Sequence, residues 1–596
     1  MVKLIVSLFI FLVSAMPVFA DIPNLSGSSF VTIETCLSGN SVVSGVSSID
    51  FNDGQGIALE HCGAPFVGAP PTSLVVSASG LNGQGPTGST SYAYKVACVD
   101  DNGGVGIATA AATITNGNAV LGTITQSIRG IAFNRVSWST ICPGTAVWRS
   151  ISGGSYVLLG VFGQAQRGGN SNTIDDAGLQ AASIPWIPPT PTTVALSDRL
   201  VTTVVSGAGT TNLTLANPTL SAVASAYVRH DDTAALNAYL STTAAPVLPS
   251  GLFNVEAIWL PSNIASLSGA GANTVLQGWS ASSPVLSASG VPFGFSIRDL
   301  TISPIAWGNA FGLLISSTSN CKAERLGLSG HPALVLAGVS GCSVRDNTVS
   351  VWTGQGIFDY QGTANVLSDN YIQAGQPNTN QNIASIHTYQ SSLDTISHNK
   401  SLGGSIYSVQ VDTGNQNVIE GNYAVGHLRE MFHFSGSVSG SSIIDNQGYG
   451  GSTSIDYCIS ISDDATNGAT LHGNLIAGNY LYQCGTSAIA VSQFGGTGVS
   501  IDHTVISANT IQGSNVDGVP ATPDIFLSGS GVSYTYINDN TMMSGSAVDY
   551  NVEENSLYGL PNHTQVGAGF GIPGTLGITH LTGAGSAVLS GHSSGL

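Results

Sequence analysis

The sequence predicts an all-β chain: a β-solenoid of stacked coils, preceded by a small β-sandwich-like domain. Three observations predict it. Short apolar strands ending in asparagine recur through the second half. Charged residues make up 8% of the 596 residues, against a usual share of about 25%, while glycine alone numbers 75. A stretch of alternating apolar and polar residues, punctuated by turns, occupies the first third.

The composition also excludes partners. Fourteen basic against 33 acidic residues give a net charge of −19. Nucleic-acid binding needs a basic patch that displaces counterions, so no nucleic-acid partner is predicted. The hydrophobic share of 42% suffices for a large core, so the chain is not of the disordered class.

Residues 1–20 read as a signal peptide. Lys3 supplies the positive region, Leu4 to Ser14 a short apolar run, and Val18-Phe19-Ala20 a small-residue cleavage site. No later run reaches about 18 apolar residues, so no membrane insertion is predicted. The reading is a secreted protein, extracellular or periplasmic. Eight cysteines suit that oxidising setting. They fall in four neighbourhoods, Cys36 with Cys62, Cys98 with Cys142, Cys321 with Cys342 and Cys458 with Cys484, and pairing in that order is predicted, though eight cysteines allow other connectivities. No C-x-x-C spacing exists and no metal site is predicted.

Residues 21–70 form a Gly/Ser-rich lead-in, and 71–187 a separate β domain. The latter holds SYAYKVACVDDNGGVG at 91–106, NRVSWS at 134–139, AVWRSISGGSYVLLGVF at 146–162 and NTIDDAGL at 172–179. This order of strands and turns resembles fibronectin type III-like modules. Residues 188–225 are a linker leading into the solenoid, which takes 226–561. A Gly-rich tail, 562–596, follows.

The main body opens with HDDTAALNAYL at 230–240, PVLPSGLFNV at 246–255 and IASLSGAGANTVLQG at 264–278. Asp231 or Asp232 is placed to cap a short helix whose Leu236 and Leu240 share one face. These three blocks, in this order, resemble the opening of the pectate-lyase-like superfamily of right-handed parallel β-helices. That superfamily includes lyases, polygalacturonase-type hydrolases, epimerases and phage tailspikes. The resemblance implies the fold and a glycan substrate; through the tailspikes it also admits a homotrimer. It does not fix the reaction.

The repeat supports the same fold independently. SVRDN, VLSDN, TISHN, VIEGN, IIDN, LIAGN, VISAN and YINDN end at Asn347, Asn370, Asn399, Asn422, Asn446, Asn479, Asn509 and Asn540, spaced 23 to 33 residues apart. Such a period means one coil per repeat. The asparagines are predicted to stack as an amide ladder at one turn, in an αL-tolerant position. Stacked strands lie ~4.8 Å apart, so Cys321–Cys342 and Cys458–Cys484 can join adjacent coils.

Chemistry-bearing residues concentrate at 383–464. Strand alternation sends His387 and Tyr389 outward, and likewise Gln410 and Asp412. Counting back from the next asparagine gives two outward columns, Phe358–His387–Gln410 and Tyr360–Tyr389–Asp412. Aromatic faces beside imidazole, amide and carboxylate suit a sugar-binding groove. The predicted reacting groups are Asp412, Glu430 and His387. Tyr389, Arg429, Lys400, Gln410, Tyr360 and His427 are predicted to bind substrate. Asp412 with Glu430, one coil on, matches retaining spacing; Asp412 with Asp456, two coils on, matches inverting spacing. His433 lies one residue off the outward column, so an inward, structural histidine is predicted as readily as a reacting one. Asp463 and Asp464 read as turn residues, and His230 as structural.

The leading function is a secreted polysaccharide-active enzyme, with hydrolysis favoured over elimination and no cofactor. The low basic count favours a neutral or weakly charged glycan. A lyase or epimerase would use Arg429 or Lys400 against a uronate carboxylate, with His387, His427 or Tyr389 moving the proton; only a lyase brings in calcium. The N-T-D, D-D and G-H-G signature of polygalacturonases is absent. A non-catalytic glycan-binding adhesion protein is the rival from another class, separable by whether the charged cluster converges on one groove.

Overall fold

The computed structural model describes residues 31–571 apart from 46–50, 81–87, 164–170, 305–310, 352–354, 375–383, 451–456, 515–523, 544–551, 556–564 and a few shorter gaps. The signal peptide, most of the C-terminal tail and Asp456 therefore lie outside the described residues.

From Val247 onward the chain winds as a right-handed parallel β-helix with three faces. The first sheet has 13 strands running from Val247–Leu248 to Gln565–Val566. The second has 13, from Gly251–Val255 to Phe570–Gly571. The third has 15, beginning at Ile258–Trp259, three of them in a side row. Each strand pairs with its counterpart one coil on, in parallel. No single coil can bury its own apolar face, so stacking is what makes the core. One inward row of the first sheet illustrates this: Val344, Leu367, Ile396, Ile419, Ile443, Ile476, Ile506 and Ile537 pair in succession. All eight are buried, each contributing roughly 1.5–3 kcal/mol.

The asparagine ladder stands at the turn between the first and second sheets. From Asn347 to Asn540, each side-chain amide donates to Oδ1 of the next asparagine at 2.8–3.1 Å. The same Oδ1 accepts the preceding asparagine's backbone N–H, for example 2.9 Å from Asn399 to Asn422. The left-handed residue is the one before each asparagine, such as Asp346, His398 and Asp445 with φ of 58°, 56° and 53°. The asparagines therefore serve as hydrogen-bond partners, and the strained position belongs to their neighbours.

A second ladder, at the turn from the third sheet to the first, was not foreseen. Cys342 N–H donates to Asn365, Asn365 to Asp394, Asp394 to Asn417, Asn417 to Ser441 and Ser441 to Asn474. Its mixed residue types hide it from a repeat search. Asp394 stands here close to the inward-facing Asp359, whose Oδ2 accepts from Asn365 at 2.8 Å. Burial pushes Asp359 up to about 6; burial and then the neighbouring Asp359 charge push Asp394 up to about 8.

Ahead of the solenoid, the lead-in (21–70) and linker (188–225) require correction as separate zones. Val31–Ile33, Val42–Ser44 and Gly56–Leu59 form one six-stranded sheet with Leu200–Ser206, Asn212–Leu215 and Ala226–His230. Glu60 sits under this sheet, fully buried, and pairs with Arg199 at 2.8 Å and Arg229 at 3.0 Å. The Trp279 ring, from the first coils, covers both guanidiniums at 3.8 and 4.8 Å. This charged knot fastens the sheet to the solenoid. Between its halves, 72–176 fold into antiparallel sheets of four and three strands, with a further short strand beside the second.

The helix spans Thr233–Leu240 and buries Leu236 and Leu240. Asp231 Oδ1 accepts from Thr233 N–H at 3.2 Å. All four disulfides join the cysteines in the predicted order, Cys36–Cys62, Cys98–Cys142, Cys321–Cys342 and Cys458–Cys484. No described helix is long and apolar enough to cross a membrane.

Candidate active site

The third sheet widens where the chemistry-bearing residues lie. Its strands have 4 residues at Ile357–Tyr360, 6 at Ala384–Tyr389, 9 at Tyr407–Asn415, 10 at Glu430–Ser439 and 6 at Tyr457–Ser462. The register aligns Phe358 with His387 and Gln410, and Tyr360 with Tyr389 and Asp412. Tyr360 and Tyr389 stack at 5.9 Å, nearly parallel. Phe358 lies 5.2 Å from His387, whose Nδ1 accepts from the Gln355 amide at 2.6 Å. His387 is thereby 98% covered by its neighbours.

The first column continues from Gln410 to His433 and Ser460. His433 is thus an outward-column residue. The count from Asn446 misses this because of a bulge: Asp412 pairs with Ser435 but Gly414 with Val438, one extra residue on the later coil. The turn residue Gly436 (φ 66°) lies in that insertion.

His433 organises a charged cluster. Its Nε2 lies 3.0 Å from Oδ2 of Asp464. Its ring stacks on Tyr407 at 4.9 Å and 10°. Arg429 donates to the Tyr407 hydroxyl at 3.3 Å and lies 3.4 Å from Glu430 Oε1. Ser462 donates to the other Asp464 oxygen at 3.0 Å. Nδ1 of His433 has no hydrogen-bond partner among the described residues. Burial pulls the His433 imidazole down, yet Asp464 and then Glu430 outweigh it and raise it above its ordinary value. Burial pushes Asp464 up, and the His433 and Arg429 charges reverse that, holding it at about 2. The Asp464 side chain is 32% exposed, against 1% for His433. The carboxylate therefore meets solvent with the imidazole behind it.

Several site expectations require correction. Glu430 pairs opposite Tyr407, while Asp412 lies five residues farther along that strand. At ~3.3 Å per residue this is roughly 16 Å, so the two carboxylates cannot act as a retaining pair. Lys400 lies on the second sheet, with its ammonium over Tyr371 and Tyr423 at 5.7 and 5.8 Å. It borders a shallow tyrosine-lined recess of about 190 Å³, not the third-sheet groove. His427 is fully buried, with Nε2 hydrogen-bonded to the Ser401 hydroxyl at 2.9 Å, which in turn donates to Ser385. It meets no substrate surface. Tyr407 and Asp464 were missed as site residues. Asp463 and Asp464 do face opposite ways: Asp463 is buried and accepts from Gly496 N–H at 2.7 Å. Asp412 is half-buried, one coil and two residues from His433, roughly 8 Å at the backbone.

No protein-family model matches the chain, and no curated protein matches it. Solved structures with similar folds include the catalytic unit of a GH87 α-1,3-glucanase from Streptomyces thermodiastaticus, at 11% identity and TM-score 0.43, covering 91% of this chain and 94% of that one. The A-module of the Azotobacter vinelandii mannuronan C-5 epimerase AlgE6 aligns at 17% identity and TM-score 0.39, over 60% of this chain and 94% of that one. The Dettilon tailspike protein aligns at 13% and 0.34, over 50% and 65%.

Proposed function

We propose that this protein is a secreted polysaccharide-active enzyme that hydrolyses a neutral glycan along the outer face of the third sheet. The observation that carries the reading is the ionised, solvent-reaching Asp464 backed by buried His433 and the partly buried Arg429. Burying charges is costly, and strongly shifted groups in a groove mark sites of chemistry. Asp464 acts as the base that draws a proton from water. Asp412, two coils earlier, acts as the acid on the glycosidic oxygen. Two coils and two residues separate them, roughly 12 Å at the backbone, which the two side chains close toward the 6.5–9.5 Å that inverting hydrolysis uses. Tyr360 and Tyr389 supply ring faces for the sugar. Arg429 is already neutralised by Glu430, which leaves it poorly suited to a uronate carboxylate and supports a neutral substrate. In this proposal residues 71–187 are a fibronectin type III-like spacer. The four disulfides fit secretion.

A second reading, elimination or epimerisation at a uronate, is favoured by one contact: Arg429 on the Tyr407 hydroxyl, a cation beside a proton donor. One assay separates the two. The protein from Asp21 onward is incubated with neutral and acidic polysaccharides, with and without calcium, and reducing ends are recorded with the ultraviolet absorbance of unsaturated uronates. Reducing ends without absorbance, lost in Asp464→Asn and Asp412→Asn, support hydrolysis. Both signals together move the assignment to elimination. Binding without either signal across the panel would leave the adhesion reading standing.

A further inference from the structure

A second cluster lies at the far edge of the third sheet, where a side row of strands forms at Thr470–His472, Ser500–Asp502 and Val532–Ser533. His472 and Asp502 are register partners on consecutive coils. His503 follows Asp502 with φ 53°. The left-handed turn brings the His503 ring back toward the Asp502 carboxylate. The result is convergence on one point. Nδ1 of His472 contacts Asp502 Oδ1, and Nδ1 of His503 lies 2.9 Å from the same oxygen. One ligand atom from each of the three residues lies within 4.8 Å of the others.

We propose that His472, Asp502 and His503 form a zinc-type metal site that joins two adjacent coils. The donor set is two imidazole nitrogens and one carboxylate oxygen, which suits zinc and other borderline first-row divalent ions. Calcium prefers six to eight oxygens and is a poor match. Zinc–ligand distances of about 2.0–2.2 Å bring neighbouring ligand atoms to roughly 3.3–3.5 Å in a tetrahedron, a spacing these three donors reach with small side-chain rotations. One outer contact of the kind a metal ligand set uses is present on the carboxylate, and a ring stack supports one imidazole. Ser500 donates to the second Asp502 oxygen at 2.8 Å, and Tyr534 stacks on the His503 ring at 5.1 Å and 17°. Both histidine side chains are about half exposed, 55% and 50%, so an ion reaches the site from solvent and a fourth ligand comes from water. The −19 net charge draws cations toward the surface. The site is remote in sequence from Asp412 and shares no residue with the His433–Asp464 cluster. It acts as a metal staple for coils 470–502.

The test uses the whole secreted chain, stripped with a chelator and dialysed. Calorimetric titration with zinc should give one saturable site, and cobalt should give visible d–d bands of a low-coordinate N/O site. Thermal midpoint should rise with zinc and not with calcium. His472→Ala and His503→Ala, both on exposed side chains, should abolish the cobalt bands yet match the wild-type midpoint in chelator. Ser500→Ala, which acts only through Asp502, should weaken zinc binding about 10–100-fold. Absence of saturable zinc binding overturns the proposal, as does binding that survives both histidine variants.

Discussion

Nε2 of His433 and Oδ2 of Asp464 stand 3.0 Å apart, a buried imidazole locked behind a carboxylate that reaches solvent. Asp464→Asn keeps the shape and removes the charge. Activity on the cleaved glycan should fall ~10²–10⁴-fold, with substrate binding largely retained. A variant with unchanged turnover number removes Asp464 from the chemistry.

The same pair sets a pH window for stability. His433 is raised, so its contribution is full below about 6.5 and fades as pH climbs through its folded value. Asp464 is lowered to about 2, so its contribution is present above about 3.8 and fades as pH falls through about 2. The melting-temperature gap between wild type and Asp464→Asn should therefore be widest near pH 4–6.5 and narrow toward alkaline pH. A gap that widens with rising pH contradicts this sign.

Asp359 and Asp394 act in the opposite sense to Asp464. Both carboxyls are raised, to about 6 and about 8. The stability they contribute is full below about 3.8 and lost as pH rises through those values. Asp394→Asn puts an amide into a ladder whose neighbours at 365 and 417 are already asparagine. It should raise the melting temperature at pH 8 and change it little at pH 4.5, read by thermal scans at both.

Glu60 holds two buried guanidiniums. Glu60→Ala leaves both without their shared anion and should cost ~3–5 kcal/mol, read in denaturant titrations. Glu60→Gln should recover part of the loss through hydrogen bonding alone.

Asn422 lies mid-ladder. Its Oδ1 accepts from Asn399 N–H and Nδ2, and its amide donates to Ile396 C=O and to Asn446. Asn422→Ala should cost ~1–3 kcal/mol through the unpaired groups it leaves. Among the described residues Asn540 ends the ladder, so Asn540→Ala should cost less in the same unfolding assay.

What could be read in the residues follows from locality. The first ladder repeats one residue type at one turn, so periodicity exposes it. The columns through His387 and Tyr389 need only alternation and an even count between turns. The bulge after Asp412 breaks that count, and with it went His433, whose column became visible only from register. Asp464 lies just past a strand end, where alternation says nothing about direction. The six-stranded sheet pairs Leu59 with Leu200 across a whole intervening domain, and no local pattern encodes such a partner. The second ladder alternates amide, carboxyl and hydroxyl, chemically equivalent as acceptors but unlike as letters.

The chain departs from that six-stranded sheet after Leu59 and re-enters at Leu200, which are pairing neighbours. Gly63 N–H still reaches Asp198 C=O at 2.8 Å, and His61 Nδ1 the Ser197 carbonyl at 2.9 Å. Beyond Glu60, Cys62 and Arg199, which stay tied to the sheet, residues 64–197 leave and return through a two-strand neck. The intervening sandwich is thus a cassette: a short turn across the neck could replace it, or a different module could be grafted there, leaving the solenoid's foundation closed.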